Sequence, residues 1–442
     1  MTEELKARIA QINAGTAPAG YKKTKVGIVP EEWEVTRFAS ISQKTGSERN
    51  DSDCAYPVYS INNKTGFAPQ GDQFENDGYS NTSKELYRIV RKGEFAYNPA
   101  RINVGSIGLL SDVDAVIISS LYVCFKLNDK CYNPYFWQYF KSHRFNFDVN
   151  NYTEGSVREY LFYDNFARIR VAVPPLPEQQ KIAEILTAQD AVIALMQKQI
   201  ELLQKQKKAF LQKMFPKKGC NVPEIRFAGF TDAWEQRKLG DLIEDNVILE
   251  QSDGNHGELY PRNEEFVESG IPYISAANIT SDGEYIDFNE TKYLPYDRAK
   301  KFRKGVTRNG DVLLAHNATV GPCLRLSMDF EYAILSTSLT LFRIDDRKMN
   351  PDYFLQMLRS EQFQSQLTKL MKQTTRNQVP ILTQRIIECC YPINAQEQKA
   401  IGTYFKNLDT LITLHQRKLE FEQKKKKALM QLLLTGKVRV KT

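Results

Sequence analysis

Two 38-residue stretches of this chain, 178–215 and 397–434, are copies of each other at an offset of 219 residues. Identities include Asp190/Asp409, Glu201/Glu420, Lys208/Lys427 and Ala209/Ala428. In each copy one seam steps 4, 3, 4, 3 along the sequence. The first seam runs through Ile182, Leu186, Gln189, Ile193, Met196, Ile200, Leu203, Lys207, Phe210 and Met214. The second runs through Ile401, Phe405, Leu408, Ile412, His415, Leu419, Glu422, Lys426, Leu429 and Leu433. A period of 3.5 residues belongs to a helix packed along its length on another helix. Each stretch would be about 57 Å long, with a back too polar for a core helix. Polar interruptions fall at Lys207 and Lys426, equivalent positions of the two copies. The natural partner of each helix is the other, in an intramolecular coiled coil. The alternative is two amphipathic helices lying on separate domains.

The blocks before the helices also repeat, at an offset near 217. Residues 90–97 parallel 307–314, 115–127 parallel 332–344, and Asn133-Pro134 matches Asn350-Pro351. Trp33-Glu34 and Trp234-Glu235 open the two blocks. Runs rich in β-branched and aromatic residues at 58–61, 116–125, 273–275 and 334–342 predict strands. Helices are predicted near 2–13, 134–147 and 351–371. The expected fold class is α+β, with two mixed α/β domains joined by two long helices in an internal, pseudo-two-fold duplication. The expected segments are 1–20, 21–175, 176–218, 219–394 and 395–442.

The net positive charge is concentrated in the helices. Residues 176–218 carry 8 basic and 4 acidic side chains, and residues 395–442 carry 11 and 4, whereas 219–394 carry 20 and 25. A uniformly basic DNA-coating protein is excluded, and any nucleic acid held by the larger blocks must meet local patches. With 42% hydrophobic and 26% charged residues the chain has ample core material. No apolar run approaches the ~20 residues of a membrane span, and Met1–Lys6 is too acidic for a secretory signal. The seven cysteines are scattered without a Cys-x-x-Cys pair, which fits a reducing, cytoplasmic setting.

Catalytic signatures are missing. There is no phosphate-binding Gly-x-x-x-x-Gly-Lys loop, no Gly-x-Gly-x-x-Gly turn after a strand and no Gly-x-Ser-x-Gly elbow. The four histidines have no metal-ligand spacing. Asn133-Pro134-Tyr135-Phe136 is similar to the Asn-Pro-Pro-Tyr loop with which adenine methyltransferases grip a flipped base. It lacks the second proline, and reads better as a helix start with proline at its first position. The sequence looks like a binder.

Paired loops carry side chains suited to reading base edges. Arg101 and Asn103 lie after a strand in the first block, with His316, Asn317 and Thr319 as counterparts in the second. Asn62 and Asn63 pair with Asn278, and Arg158 with Arg376, Asn377 and Gln378. Arginine can bond guanine, and asparagine or glutamine adenine, through two hydrogen bonds each in the major groove. Basic clusters suited to DNA phosphates are Lys84, Arg88, Arg91 and Lys92 in one block and Arg298, Lys300, Lys301, Arg303, Lys304 and Arg308 in the other. Each of these residues could equally cap a turn or face water.

The chain resembles the specificity (S) subunit of type I restriction–modification systems. The resemblance is carried by residues 177–186, 396–401 and 433–440, and by the block entries at 29–34 and 229–240. It implies that each block is a target recognition domain reading one half of a split DNA site. It also implies that the two helices pair antiparallel and fix the unread spacer. The partners implied are double-stranded DNA, two methyltransferase (M) subunits and restriction (R) subunits. S-adenosylmethionine, ATP and Mg²⁺ would bind those subunits, no cofactor or metal would bind this chain, and it would not be an enzyme. The competing expectation is a drifted DNA adenine methyltransferase or nuclease acting on its own.

Overall fold

A computed structural model of the chain describes residues 2–50, 56–70, 86–155, 159–280, 283, 285–373 and 377–440. Its contacts divide the chain into two units, and the division falls inside the long helices. Residues 1–196 with 418–442 form one unit and residues 197–417 the other. A long helix with a one-sided seam is shared out among whatever packs on each stretch of it. Each unit thus owns a head and half of each long helix.

The heart of each head is a four-stranded antiparallel sheet, and the strand order is the same in both. In the first unit the order is Ser42–Thr45, Val123–Leu127, Phe95–Tyr97, Ile107–Leu109. In the second it is Ile248–Asp253, Leu339–Ile344, Val312–Asn317, Thr319–Arg325. The register repeats as well. Phe125 lies opposite Phe95 and Lys44, and Phe342 lies opposite Val312 and Gln251.

Two strand predictions need correction. The runs 116–125 and 334–342 are not single strands. The first divides into Ala115–Ile118, paired with Arg88–Arg91, and Val123–Leu127 in the four-stranded sheet. The second divides into Ala333–Leu335, beside Ile271–Ile274 and Val306–Thr307, and Leu339–Ile344. Serine makes both breaks. The Ser119 hydroxyl accepts from the Leu121 amide at 3.4 Å and that of Ser336 from the Ser338 amide at 3.2 Å. A local side-chain-to-backbone bond of this kind competes with the sheet ladder.

The same device cuts the aromatic helices. Asn133–Phe140 is followed by His143–Tyr152, and Pro351–Arg359 by Glu361–Lys372. Ser142 caps the amide of Phe145, and Ser360 that of Phe363.

The first head buries a dense set of rings, with Phe38 stacked on Phe166 at 4.5 Å and Phe125 on Phe95 at 5.2 Å. The second is more aliphatic, built around Val312, Leu314, Phe342, Phe354 and Leu358. Ile182 and Leu186 extend the first core, and Ile401, Phe405 and Leu408 extend the second. The start of each seam therefore serves a head as well as the facing helix. Among the described residues no helix is long and apolar enough to cross a membrane.

Candidate nucleic-acid interface

The long helices are Leu176–Lys213 and Ala395–Leu433. Within the first unit, Ile182 and Leu186 share a core with Leu433, and Lys426 Nζ meets Asp190 Oδ1 at 2.5 Å. Gln189 Nε2 donates to Glu422 Oε2 at 2.6 Å. Numbers rise on one helix as they fall on the other, so the pair is antiparallel. The second unit repeats the arrangement, with Lys207 Nζ on Asp409 Oδ1 at 2.6 Å and the rings of Phe210 and Tyr404 5.4 Å apart. Lys207 and Lys426, polar breaks in the apolar seams, thus pair with the duplicated aspartates. Each aspartate is also tied to its head, Asp190 by Gln138 Nε2 and Asp409 by Arg359 Nη1, both at 2.8 Å. Seam residues Ile193, Leu203, Phe210, Leu419 and Leu429 are half-buried, and Met196, Ile200 and Ile412 are buried.

The first residues of each helix hold a second duplicated device. Glu178 is buried and accepts from Trp33 Nε1 at 2.9 Å and from Arg439 Nε at 2.6 Å. Glu397, its copy, accepts from Trp234 Nε1 at 3.3 Å and from Arg226 Nε at 2.6 Å. In each unit the arginine comes from the segment that follows the C-terminal end of the facing helix. A buried carboxylate with both partners in place is stable, and removing one partner strands a charge. The next residues, Gln179 and Gln398, donate to the carbonyls of Pro174 and Pro392 at 2.9 and 2.8 Å.

In the first head, the loops at 62–63 and 101–103 lie close together, with Leu161 beside them. Ser106 Oγ donates to the Ile61 carbonyl at 3.0 Å, and the Leu161 amide donates to the Pro99 carbonyl at 3.0 Å. Arg101 and Asn103 stand exposed on a single helical turn that closes at Gly105, whose φ of 87° only glycine adopts readily. Asn63 is exposed on the neighbouring hairpin tip. Asn62 has a different role, because its Oδ1 accepts from the amides of Lys64 and Thr65 at 2.9 and 2.7 Å and so builds the tip. Leu121, 76% exposed, stands on the serine turn beside this hairpin and was not among the expected contacts.

In the second head, residues 316–318 and 377–379 are zipped together. Ala318 N donates to the Asn377 carbonyl at 2.9 Å and Val379 N to the His316 carbonyl at 2.8 Å. Asn317 and Gln378 are half-buried, and Thr319 and Asn377 exposed. Asn278 is spent internally, with Oδ1 accepting from Ser275 N and Nδ2 donating to the Glu290 carbonyl. His316 is buried, and its Nδ1 lies 3.0 Å from Thr340 Oγ1, which accepts from Gln384 Nε2. With Gln384 donating to it, the Thr340 hydroxyl keeps its own proton available for Nδ1 of a neutral imidazole. Burial pushes the His316 pKa down to about 4, against a smaller opposing pull from Asp253. His316, Asn317 and Gln378 border a cleft of about 470 Å³.

The basic clusters divide. Arg88 is committed to the carbonyls of Gly46 and Ser120, Arg91 to Glu48 through two bonds, and Arg298 to Glu265 and the Leu259 carbonyl. Those guanidinium groups hold loops together. Lys92, Lys300, Lys301, Arg303, Lys304 and Arg308 are exposed. Lys84, Arg158 and Arg376 lie outside the described residues.

The methyltransferase-like string is part of the core. Tyr135 and Phe136 are fully buried, and Asn133 Nδ2 donates to the Gly93 carbonyl at 2.9 Å. These side chains are not available to grip a base. Among the described residues, no group of three or more histidine, cysteine or carboxylate side chains could hold a metal ion.

The family model for the type I restriction modification DNA specificity domain matches residues 30–205 and again residues 231–422. The chain belongs to this family. It is similar to the type I restriction enzyme MjaVIII specificity subunit of Methanocaldococcus jannaschii, at 29% identity over 430 residues, covering 93% of this chain and 94% of that one. The putative MjaX specificity subunit of the same organism is 24% identical over 96% of this chain and 97% of that one. The fold is shared with the type I restriction–modification S subunit from M. genitalium, at a TM-score of 0.56 and 14% identity over 93% and 97% of the two chains. A chain solved in work on complex assembly and conformational transition of the type I restriction–modification system gives a TM-score of 0.56 at 16% identity, over 93% and 99%.

For a specificity subunit, the residues that sequence reasoning missed are those that dock heads to helices: Glu178, Gln179, Arg226, Glu397, Gln398 and Arg439. The signal was present, since the Glu-Gln pair and the tryptophans recur in both halves.

Proposed function

We propose that this specificity subunit is a non-catalytic DNA reader and scaffold. Each head reads one half of a split DNA target, and the paired helices set the unread spacer between the halves. The observation that carries the reading is a duplicated frame bearing diverged loops. Sheet order, register and helix docking repeat, while Arg101 and Asn103 in one head face His316, Asn317 and Thr319 in the other. Two unlike readers on one repeated frame suit an asymmetric target. Exposed Asn63, Arg101, Asn103, Thr319 and Asn377 are the favoured base readers, with Asn317 and Gln378 at the cleft. Lys92, Lys300, Lys301, Arg303 and Arg308 are the favoured phosphate contacts.

The helices offer a surface for the M subunits. Val192, Leu195 and Leu202 are exposed, as are Leu411, Leu414 and Phe421 at the equivalent positions. They step 3 and 7 along each helix, which is the spacing of a second seam. In this reading S-adenosylmethionine, ATP and Mg²⁺ belong to the M and R subunits, and the complex works in the cytoplasm.

Removing one heptad from each long helix shortens the pair by about 10 Å, some three base-pair steps of ~3.4 Å. The recognised spacer should contract while both half-sequences stay the same. An unaltered spacer would count against the helices as a ruler.

A further inference from the structure

The cleft of the second head contains an arginine held through one edge only. Arg385 Nε donates to Gln251 Oε1 at 2.8 Å. Gln251 is itself held, its Nε2 donating to the Ile381 carbonyl at 3.4 Å and to Gln384 Oε1 at 3.3 Å. Gln384 is buried and anchored on Thr340 Oγ1 at 2.8 Å and the Val379 carbonyl at 3.0 Å. The backbone is fixed too, since Gly240 N donates to the Arg385 carbonyl at 2.9 Å. Among the described residues Arg385 forms no ion pair, and its two Nη atoms carry no hydrogen bond. Arg91 and Arg298, by contrast, are each ion-paired, with Glu48 and Glu265.

We infer that Arg385 reads a guanine in the half-site of the second head, with Gln251 as its positioning residue. This rests on the proposal that the heads read DNA. Two parallel N–H groups of a guanidinium match the O6 and N7 acceptors of guanine in the major groove. Binding through Nε to Gln251 leaves the terminal pair for that task and fixes the plane in which it points. A phosphate contact needs charge but no fixed plane. The cleft also offers the amides of Gln251, Asn317 and Gln378, with Asp253 and Lys304 on its lining, and it runs to the zipped loops at 316–318 and 377–379. At the matching positions the first head carries Lys44 and Ala167. Strand register sets Lys44 opposite Phe125 as Gln251 is set opposite Phe342. Pairing of the edge strands and the matching bonds to Ile169 and Ile387 align Ala167 with Arg385.

The test is selection from a randomised duplex library by the full chain assembled with the methyltransferase subunits of its own system. The wild type should fix at least one guanine in one half-site. Arg385→Gln should lose selection at that single position, leave the other half unchanged, and bind the wild-type target roughly 5- to 150-fold more weakly. Replacing that guanine by 7-deazaguanine, which lacks N7, should weaken the wild type at least about 5-fold and the variant hardly at all. Gln251→Ala should relax the same position in part. A uniform loss of affinity with every position still selected would make Arg385 a phosphate contact and overturn the inference. Retained selection at every position would overturn it as well. If Arg385→Gln does not fold, the 7-deazaguanine arm on the wild type decides: no guanine in the half-site with a required N7 overturns it. A wild-type complex that selects no sequence would refute DNA reading itself, a distinguishable result.

Discussion

At matching places of the two heads, the first has Pro99, Val123 and Phe166 and the second has His316, Thr340 and Gln384. In one head the floor under the loops is a ring stacked on Phe38 and tilted against Phe125. In the other it is a chain of hydrogen bonds from Gln384 through Thr340 to His316. The surrounding frame is the same, down to the serine breaks and the Trp–Glu–Arg docking. Duplication has kept what joins a head to the helices and changed what lies beneath the loops. An apolar floor supports loops by packing, which tolerates many loop sequences. A hydrogen-bonded floor also fixes the direction of each group, and ties the second head to pH.

The largest effects should come from the shared docking device. Glu397→Ala strands Arg226, 13% exposed, and leaves the indole of Trp234 without its acceptor. We expect a loss of about 3–5 kcal/mol in chemical denaturation. Glu178→Ala should cost less, because its partner Arg439 is 31% exposed and keeps Glu32. Equal losses would mean that the two docking sites are not distinguished by burial.

The floors should differ next. Phe166→Ala removes a fully buried ring and should destabilise the first head by roughly 3–5 kcal/mol. Gln384→Ala in the second head should cost about 1–3 kcal/mol, the penalty for buried polar partners left unmade. The reverse order would undo the contrast between packed and hydrogen-bonded floors.

Acid should act on the second head through His316. Its folded pKa of about 4 lies below the ordinary value of ~6.5. Between those values the unfolded chain binds more protons than the folded one. The stability at issue is whole above pH ~6.5 and is lost as pH falls toward ~4, an amount on the order of 3 kcal/mol. His316→Gln should flatten this dependence in pH-resolved denaturation. A slope unchanged in that variant would assign the acid response elsewhere.

The smallest effect on stability is expected on the helices. Leu195→Asp with Leu414→Asp changes residues 65% and 56% exposed, and should alter stability by less than ~0.5 kcal/mol. The same double variant should cease to co-purify with methyltransferase subunits. Undiminished assembly would remove this stripe as their seat.

How legible this was depended on distance along the chain. The heptad seams and the duplicated strands are periodic, local patterns, and the helices at 176–213 and 395–433 follow them. The serine breaks were hidden because Ser119 and Ser336 sit within otherwise strand-like runs. Asn62 and Asn278 were named as readers, yet each completes a turn with residues within three positions of itself. An asparagine at a strand end looks the same in sequence whether it caps or reads. Arg88, Arg91 and Arg298 were hidden differently, since Gly46, Glu48 and Glu265 lie more than 30 residues away. Arg385 left no trace in the duplication, because the first head has alanine in its place.

The independence of the two heads is tested most directly by replacing residues 30–174 with those of a homologous specificity subunit and mapping the DNA target of the assembled complex. One half-site should change, with the other half and the spacer retained. A change in both halves, or in neither, would contradict a pair of separate readers on a shared helical frame.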